Sequence, residues 1–398
     1  VTAALKPVAL NPVALDSMAL KPVTLNSMAL KPIHGGALYR ASKEFAIAPE
    51  HWIDLSTGIS PEAWPVPAPP MEAWRSLPDT EDGLIAGAAD YYGCRVSEIL
   101  PTSGSQFAIE QIPQLVDVGA VAVPVWGYAE HSYRWQLAGH QLYWYSSYQE
   151  LAHLVETKTV ANALVINPNN PSTELFTLAE LQHLMAVLAV NNGKLVVDEA
   201  FMDSCEEHSL CTILADRPCP PELIILRSVG KFFGLAGIRL GFVIASEVFI
   251  QRLEPQLSPW AVNHIARWVG QQALADRDWQ RRQRQRLVQH SAVWQTQLKI
   301  LFPAFDWQRS DCFVTAFADR QSCEKLYQKL GESALLVRLL CSAREGLQGG
   351  FQSQSHSVKV GGKSDKKPDG AALRFGLPAP SQQQAVIDRI TTHNWRPL

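Results

Sequence analysis

The sequence is short of charge, of long apolar runs and of paired cysteines. Only 18% of its 398 residues are charged, and 35 basic side chains nearly balance 38 acidic ones, for a formal net charge of −3. That balance leaves no basic field for nucleic acid and no strongly acidic surface. No uninterrupted apolar stretch approaches the roughly 18 residues that cross a bilayer, so no membrane segment is expected. Residues 1–30 hold no continuous apolar core of a signal peptide, and a secretory leader is not expected. The seven cysteines are odd in number and form no CxxC pair, which argues for reduced thiols in a cytoplasmic protein. Cys205, Cys211 and Cys219 gather around His208, but their spacing fits no standard zinc pattern and no metal is expected. What the chain does have is 47% hydrophobic residues, enough for a sizeable core.

Residues 1–33 repeat a five-residue template, visible in Ala4-Leu5-Lys6-Pro7-Val8 and again in Ala19-Leu20-Lys21-Pro22-Val23. Recurrent proline forbids a continuous helix, and so short a tract has little core to close, so a disordered tail is expected. From about residue 100, short β-branched runs alternate with helical stretches. Strands are expected at 120–125, 164–167, 194–198, 223–226 and 240–245. Thr177-Leu178-Ala179-Glu180 reads as a capping box opening a helix to about Asn191, with Gly193 as its stop. Such alternation predicts an α/β protein with a mostly parallel, doubly wound sheet. Residues 260–300 read as one or two long helices, with Arg281, Arg282, Arg284 and Arg286 on a solvated face. Strands near 313–318, 335–340 and 373–376 suggest a smaller α/β domain, and the Gly/Ser/Gln/Lys-rich stretch 343–370 a mobile insertion.

Four segments bear chemistry. In Arg227-Ser228-Val229-Gly230-Lys231, followed by Gly237-Ile238-Arg239-Leu240-Gly241, a lysine directly follows a buried strand. A desolvated lysine there becomes a usable amine nucleophile. Asp198, in Val197-Asp198-Glu199-Ala200-Phe201, stands at a strand's C-terminal end, where open α/β sheets place ligands. Asn167-Pro168-Asn169-Asn170-Pro171 offers directed amides at another strand end, and Thr102-Ser103-Gly104-Ser105-Gln106 opens a helix whose N–H groups suit a phosphate. Alone, each also reads as an ordinary loop lysine, helix cap or turn.

Together, and in this order, they resemble the fold-type I pyridoxal-phosphate enzymes, the aspartate aminotransferase superfamily, from His34 to Leu398. The resemblance implies a large domain with a mostly parallel sheet plus a smaller α/β domain. It divides the chain into an arm and part of the small domain (34–75), a large cofactor-binding domain (76–262) and a small domain (263–398). The implied cofactor is pyridoxal 5'-phosphate, with Lys231 as its covalent anchor, Asp198 against the ring nitrogen and Asn170 against the ring oxygen. Ser228, Arg239 and the Gly104–Ser105–Gln106 backbone would bind its phosphate. An aromatic should stack on the ring; Tyr128 is preferred, with Trp126 the rival. Arg374 takes the place of the arginine that pairs with the substrate carboxylate.

Within the superfamily the chain is most similar to the threonine-phosphate decarboxylases of cobalamin synthesis, and next to the histidinol-phosphate aminotransferases. Carrying that likeness are His34-Gly35-Gly36, Asp54-Leu55-Ser56-Thr57-Gly58, Tyr128-Ala129-Glu130-His131 and Leu373-Arg374-Phe375-Gly376, with Phe201 where many aminotransferases have tyrosine. The resemblance implies decarboxylation of L-threonine O-3-phosphate to (R)-1-amino-2-propanol O-2-phosphate, with an aminotransferase as the alternative. His34 is expected to help hold the substrate phosphate. A homodimer is implied as well, although Leu77 replaces a tyrosine that many relatives extend to the partner's cofactor phosphate.

Overall fold

A computed structural model describes Pro32 and residues 34–215, 217–342 and 370–392. The rest of the pentad tail and residues 343–369 of the expected insertion lie outside the described residues.

The central sheet has seven strands: β1 Ile99–Thr102, β2 Ala120–Pro124, β3 Gln141–Tyr145, β4 Asn162–Ile166, β5 Lys194–Asp198, β6 Leu223–Ser228 and β7 Gly241–Ala245. Their spatial order is β1-β7-β6-β5-β4-β2-β3. From β6 to β3 every pairing is parallel, and β7 alone runs against its neighbours. The apolar runs of β4, β5 and β6 divide their side chains between the sheet's two faces because successive residues point opposite ways. Leu164, Val196, Ile224 and Leu226 pack with Ile109 and Ile112 of the helix Ser105–Leu115. Val165, Val197, Leu223 and Ile225 pack with Leu181 and Leu184 of the helix Leu178–Val190. That helix opens on the expected capping box, with Thr177 N donating to Glu180 at 2.8 Å and Glu180 N to Thr177 Oγ1 at 3.2 Å.

The end of that helix differs from expectation. Asn192, at φ 55°, holds the left-handed position. Gly193 stands one residue later and donates its N–H back to Leu188. It has to be glycine because an added Cβ would lie 2.0 Å from the Ala161 carbonyl oxygen.

A second sheet, all antiparallel, holds β8 Asp306–Arg309, β9 Phe313–Ala318, β10 Arg338–Cys341 and β11 Ala371–Gly376 in the order β10-β11-β9-β8. The strand expected at 335–340 is two. Leu335–Leu336 pairs in parallel with Ile53–Asp54 of the N-terminal arm, and β10 joins the second sheet. The long helical stretch is two helices, His264–Ala275 and Arg277–Leu301. Arg281, Arg282 and Arg286 lie on an exposed face as expected, whereas Arg284 turns inward, donating to the Asp203 carbonyl at 2.9 Å and pairing with Glu206. Among the described residues no helix is long and apolar enough to cross a membrane.

Candidate active site

The carboxyl edge of the central sheet opens into a cavity of about 320 Å³. His34, Ser105, Gln106, Tyr128, Asn170, Asp198, Ser228, Lys231, Arg239 and Arg374 all line it. Gly104 stands just behind, where an added Cβ would lie 2.6 Å from Arg239 Nη2. The topology explains the gathering: β1, β2, β4, β5 and β6 all deliver their next residues to this one edge.

Gly241 organises the phosphate-like corner. It pairs with Thr102 at the end of β1 and with Ser228 at the end of β6. A Cβ there would meet Ser105 N at 2.6 Å and the Arg227 carbonyl at 2.8 Å. Its bare backbone therefore lets a helix N-terminus, the Ser228 strand end and the Arg239 guanidinium converge, which is the donor set an anion requires. Gln106 contributes there through its backbone, since its side chain is committed to Glu110, Glu130 and Tyr128.

Asp198 ends β5 on the same sheet face as Val196, buried, with Oδ2 2.8 Å from His131 Nε2 and Oδ1 accepting from Ala200 N at 3.0 Å. Lys231 follows β6 on the short helix Val229–Phe232. Burial, and after it the charge of Arg374, lower its amine to about 8. Its Nζ lies 5.6 Å above the Phe201 ring, and Phe201 itself packs edge-on against Phe313.

Arg374, on β11, reaches the cavity from the second sheet. Nη1 donates to Asn170 Oδ1 and Nη2 to the Ser56 carbonyl, both at 2.6 Å. Among the described residues, its Nε and the Asn169 Oδ1 are buried without hydrogen-bond partners. Burial and the neighbouring Arg338 lower its guanidinium to about 10. Arg338, directly opposite Arg374 in the β10–β11 register, lines the same cavity. Tyr128 faces the cavity and donates to Gln106 at 3.3 Å, with the His34 ring 5.5 Å away. Trp126 turns instead to Phe317 of the second sheet, at 5.5 Å between centroids.

Sequence reasoning assigned no role to Arg338, His131 or Glu130. Arg338 enters by strand pairing with a residue beyond the 343–369 stretch. His131 reaches Asp198 across 67 residues of sequence. No local motif announces either contact.

The donor set suits pyridoxal phosphate. An amine of lowered basicity, a buried carboxylate, an anion cradle and a buried arginine with one unpartnered N–H all meet in one cavity. A carboxylate bound to Arg374 would find its Nε–H unsatisfied by the described residues.

Comparison with known proteins agrees with this geometry. Residues 72–343 match the family model for aminotransferase class I and II. The chain is 44% identical, over 64% of its length and 74% of the relative's, to a threonine-phosphate decarboxylase of Pseudomonas aeruginosa. It is 37% identical to a second threonine-phosphate decarboxylase, from a Sinorhizobium species, over 58% of this chain and 68% of that one. A solved histidinol-phosphate aminotransferase from Sinorhizobium meliloti, in complex with pyridoxal 5'-phosphate, shares the fold at 16% identity. Its TM-score is 0.69, over 89% of this chain and 95% of that one. A fold-type I α/β architecture, a cavity built at its carboxyl edge and a match across most of the chain lead to one conclusion: the chain belongs to the aminotransferase class I and II family.

Proposed function

We propose that the chain is a pyridoxal-phosphate-dependent decarboxylase that converts L-threonine O-3-phosphate to (R)-1-amino-2-propanol O-2-phosphate in cobalamin biosynthesis. The observation that carries this reading is a pair of arginines on one cavity, Arg374 and Arg338 side by side, with His34 lining the same space, beyond the corner of Ser105, Ser228 and Arg239. One corner suits a cofactor phosphate, and the remaining cations suit a substrate with two anionic groups. The 44% identity to a threonine-phosphate decarboxylase supports the same substrate.

In this reading Ser228, Arg239 and the Ser105 N–H hold the cofactor phosphate, and Tyr128 flanks the ring. Asp198 holds a proton at the ring nitrogen, and His131 fixes the carboxylate's orientation at 2.8 Å. Pyridoxal phosphate held by these residues would supply an electron-accepting conjugated ring. Asn170 and Arg374 bind the substrate carboxylate, and Arg338 and His34 grip its phosphate. Two fixed anionic ends set which Cα substituent faces the ring, so remote binding energy selects the bond that breaks. Lys231 Nζ, inside the cavity, returns a proton to Cα.

The reading also takes the enzyme as a cytoplasmic homodimer, supported by exposed apolar side chains at Trp74, Leu77 and Trp260. The test offers the holoenzyme phospho-threonine with no 2-oxo acid present, and stoichiometric CO2 is expected. Turnover that depends strictly on a 2-oxo acid, without CO2, would favour the aminotransferase.

A further inference from the structure

We infer that Glu130 is a positioning residue that keeps His34 seated at the cavity, completing an anion-binding end with Arg338. This rests on the reading of that end as the seat of a substrate phosphate.

Glu130 lies in the first turn of the helix Ala129–Leu137 and is 1% exposed. A carboxylate so far from water needs compensating donors. It has three: His34 Nε2 at 2.9 Å, Arg134 Nε at 3.2 Å and Gln106 Nε2 at 3.3 Å. Arg134 is shared, since its Nη2 donates to Glu110 Oε1 at 2.7 Å. Gln106 is neutral and is also shared with Glu110. Two carboxylates therefore divide one guanidinium, and His34 is the donor to Glu130 that Glu110 does not share. The groups facing His34 are Glu130 and the Tyr128 ring, while Arg239 and Arg338 line the same cavity.

The backbone seats His34 from the other side. Gly36 N donates to Ser56 Oγ at 2.8 Å, and an added Cβ on Gly35 would lie 2.4 Å from the Ser56 carbonyl oxygen. That same carbonyl accepts from Arg374 Nη2. The N-terminal segment is thus held between Glu130 and the residue that orients Arg374, and loss of Glu130 removes a hydrogen-bonded anchor of His34.

The test titrates inorganic phosphate into holoenzyme by calorimetry, where the cofactor already fills its own phosphate corner. Wild type, Glu130→Gln, His34→Gln and the double variant are compared. Glu130→Gln should weaken phosphate binding about tenfold, the order expected for one charge-assisted contact, while leaving the cofactor absorbance spectrum unchanged. His34→Gln, at a partly exposed position that the core does not depend on, should lose as much. The double variant should be no weaker than either single one, because Glu130 acts through His34. Phosphate affinity within twofold of wild type in either single variant overturns the inference, as do losses that multiply in the double variant. The titration needs no turnover, so it decides the matter separately from whether phospho-threonine is decarboxylated. With turnover, Glu130→Gln should raise KM and leave kcat nearly unchanged, whereas a merely structural Glu130 would lower kcat and cofactor retention together.

Discussion

Lys231 shows how the fold changes the chemistry of a side chain. A neutral amine is needed to attack a carbonyl, and at pH 7 an amine titrating at about 8 is neutral in about one molecule in ten. An ordinary lysine would be neutral in about one in three thousand. The sign follows: lowering pH protonates Lys231 and slows covalent uptake of pyridoxal phosphate by the apoenzyme. Uptake should rise about tenfold per pH unit up to about 8 and level off above it. Stopped-flow absorbance checks this, and a rate still climbing at pH 10 would contradict it. Because Arg374 is the second cause of the lowered value, Arg374→Gln should move the plateau to higher pH. Borohydride should trap no cofactor on Lys231→Ala. Lys231, Asp198 and Ser228 were legible in the sequence because each ends or directly follows a buried strand within a compact motif. Arg338, His131 and Glu130 were not, because distant partners bring them to the cavity.

At the scale of elements, the meeting of β1, β6 and β7 makes the anion corner, and one missing side chain makes that meeting possible. A methyl at Gly241 would press on Ser105 N, Gly104 C and Arg227 O, all backbone atoms that cannot rotate away. Gly241→Ala should therefore loosen the corner and weaken pyridoxal-phosphate binding at least about tenfold, by equilibrium dialysis. Gly237→Ala, where a Cβ would meet nothing within 4 Å, is the matched control and should change cofactor affinity little. Equal losses in both variants would show that the effect lies in the loop and not in the close approach. The inner strands were legible because burial on both faces demands continuous apolar runs, as in β6, where every residue is buried. The two strands of the central sheet not expected from the sequence, β1 and β3, are that sheet's edges. An edge tolerates Pro101 in β1 and the mostly half-exposed side chains of β3, so neither reads as a buried run.

At the scale of the whole molecule, part of the surface carries exposed large apolar side chains. Met71 and Trp74 project from the short helix Met71–Arg75, with Leu77 just beyond it, and all three are exposed. That segment packs on the helix His264–Ala275, whose His264 Nδ1 meets the Ser76 carbonyl at 3.2 Å, close after the exposed Trp260. Neighbouring exposed apolar side chains mark a contact surface, and a second copy of the chain is the occupant the proposed homodimer supplies. Leu77 fits such a role, because leucine contributes apolar area to an interface but no hydroxyl to a neighbouring phosphate. If this face joins two copies, Trp74→Glu combined with Leu77→Glu buries two charges in each half of a symmetric contact. The sedimenting mass should fall from twice that of the 44.0 kDa chain to that of one chain. Cofactor retention should fall with it and become dependent on protein concentration, since binding that requires two copies follows mass action. Analytical ultracentrifugation over a hundredfold range of concentration, read alongside cofactor absorbance, checks both expectations. A double variant that sediments as a dimer and keeps its cofactor would place the subunit contact on another face.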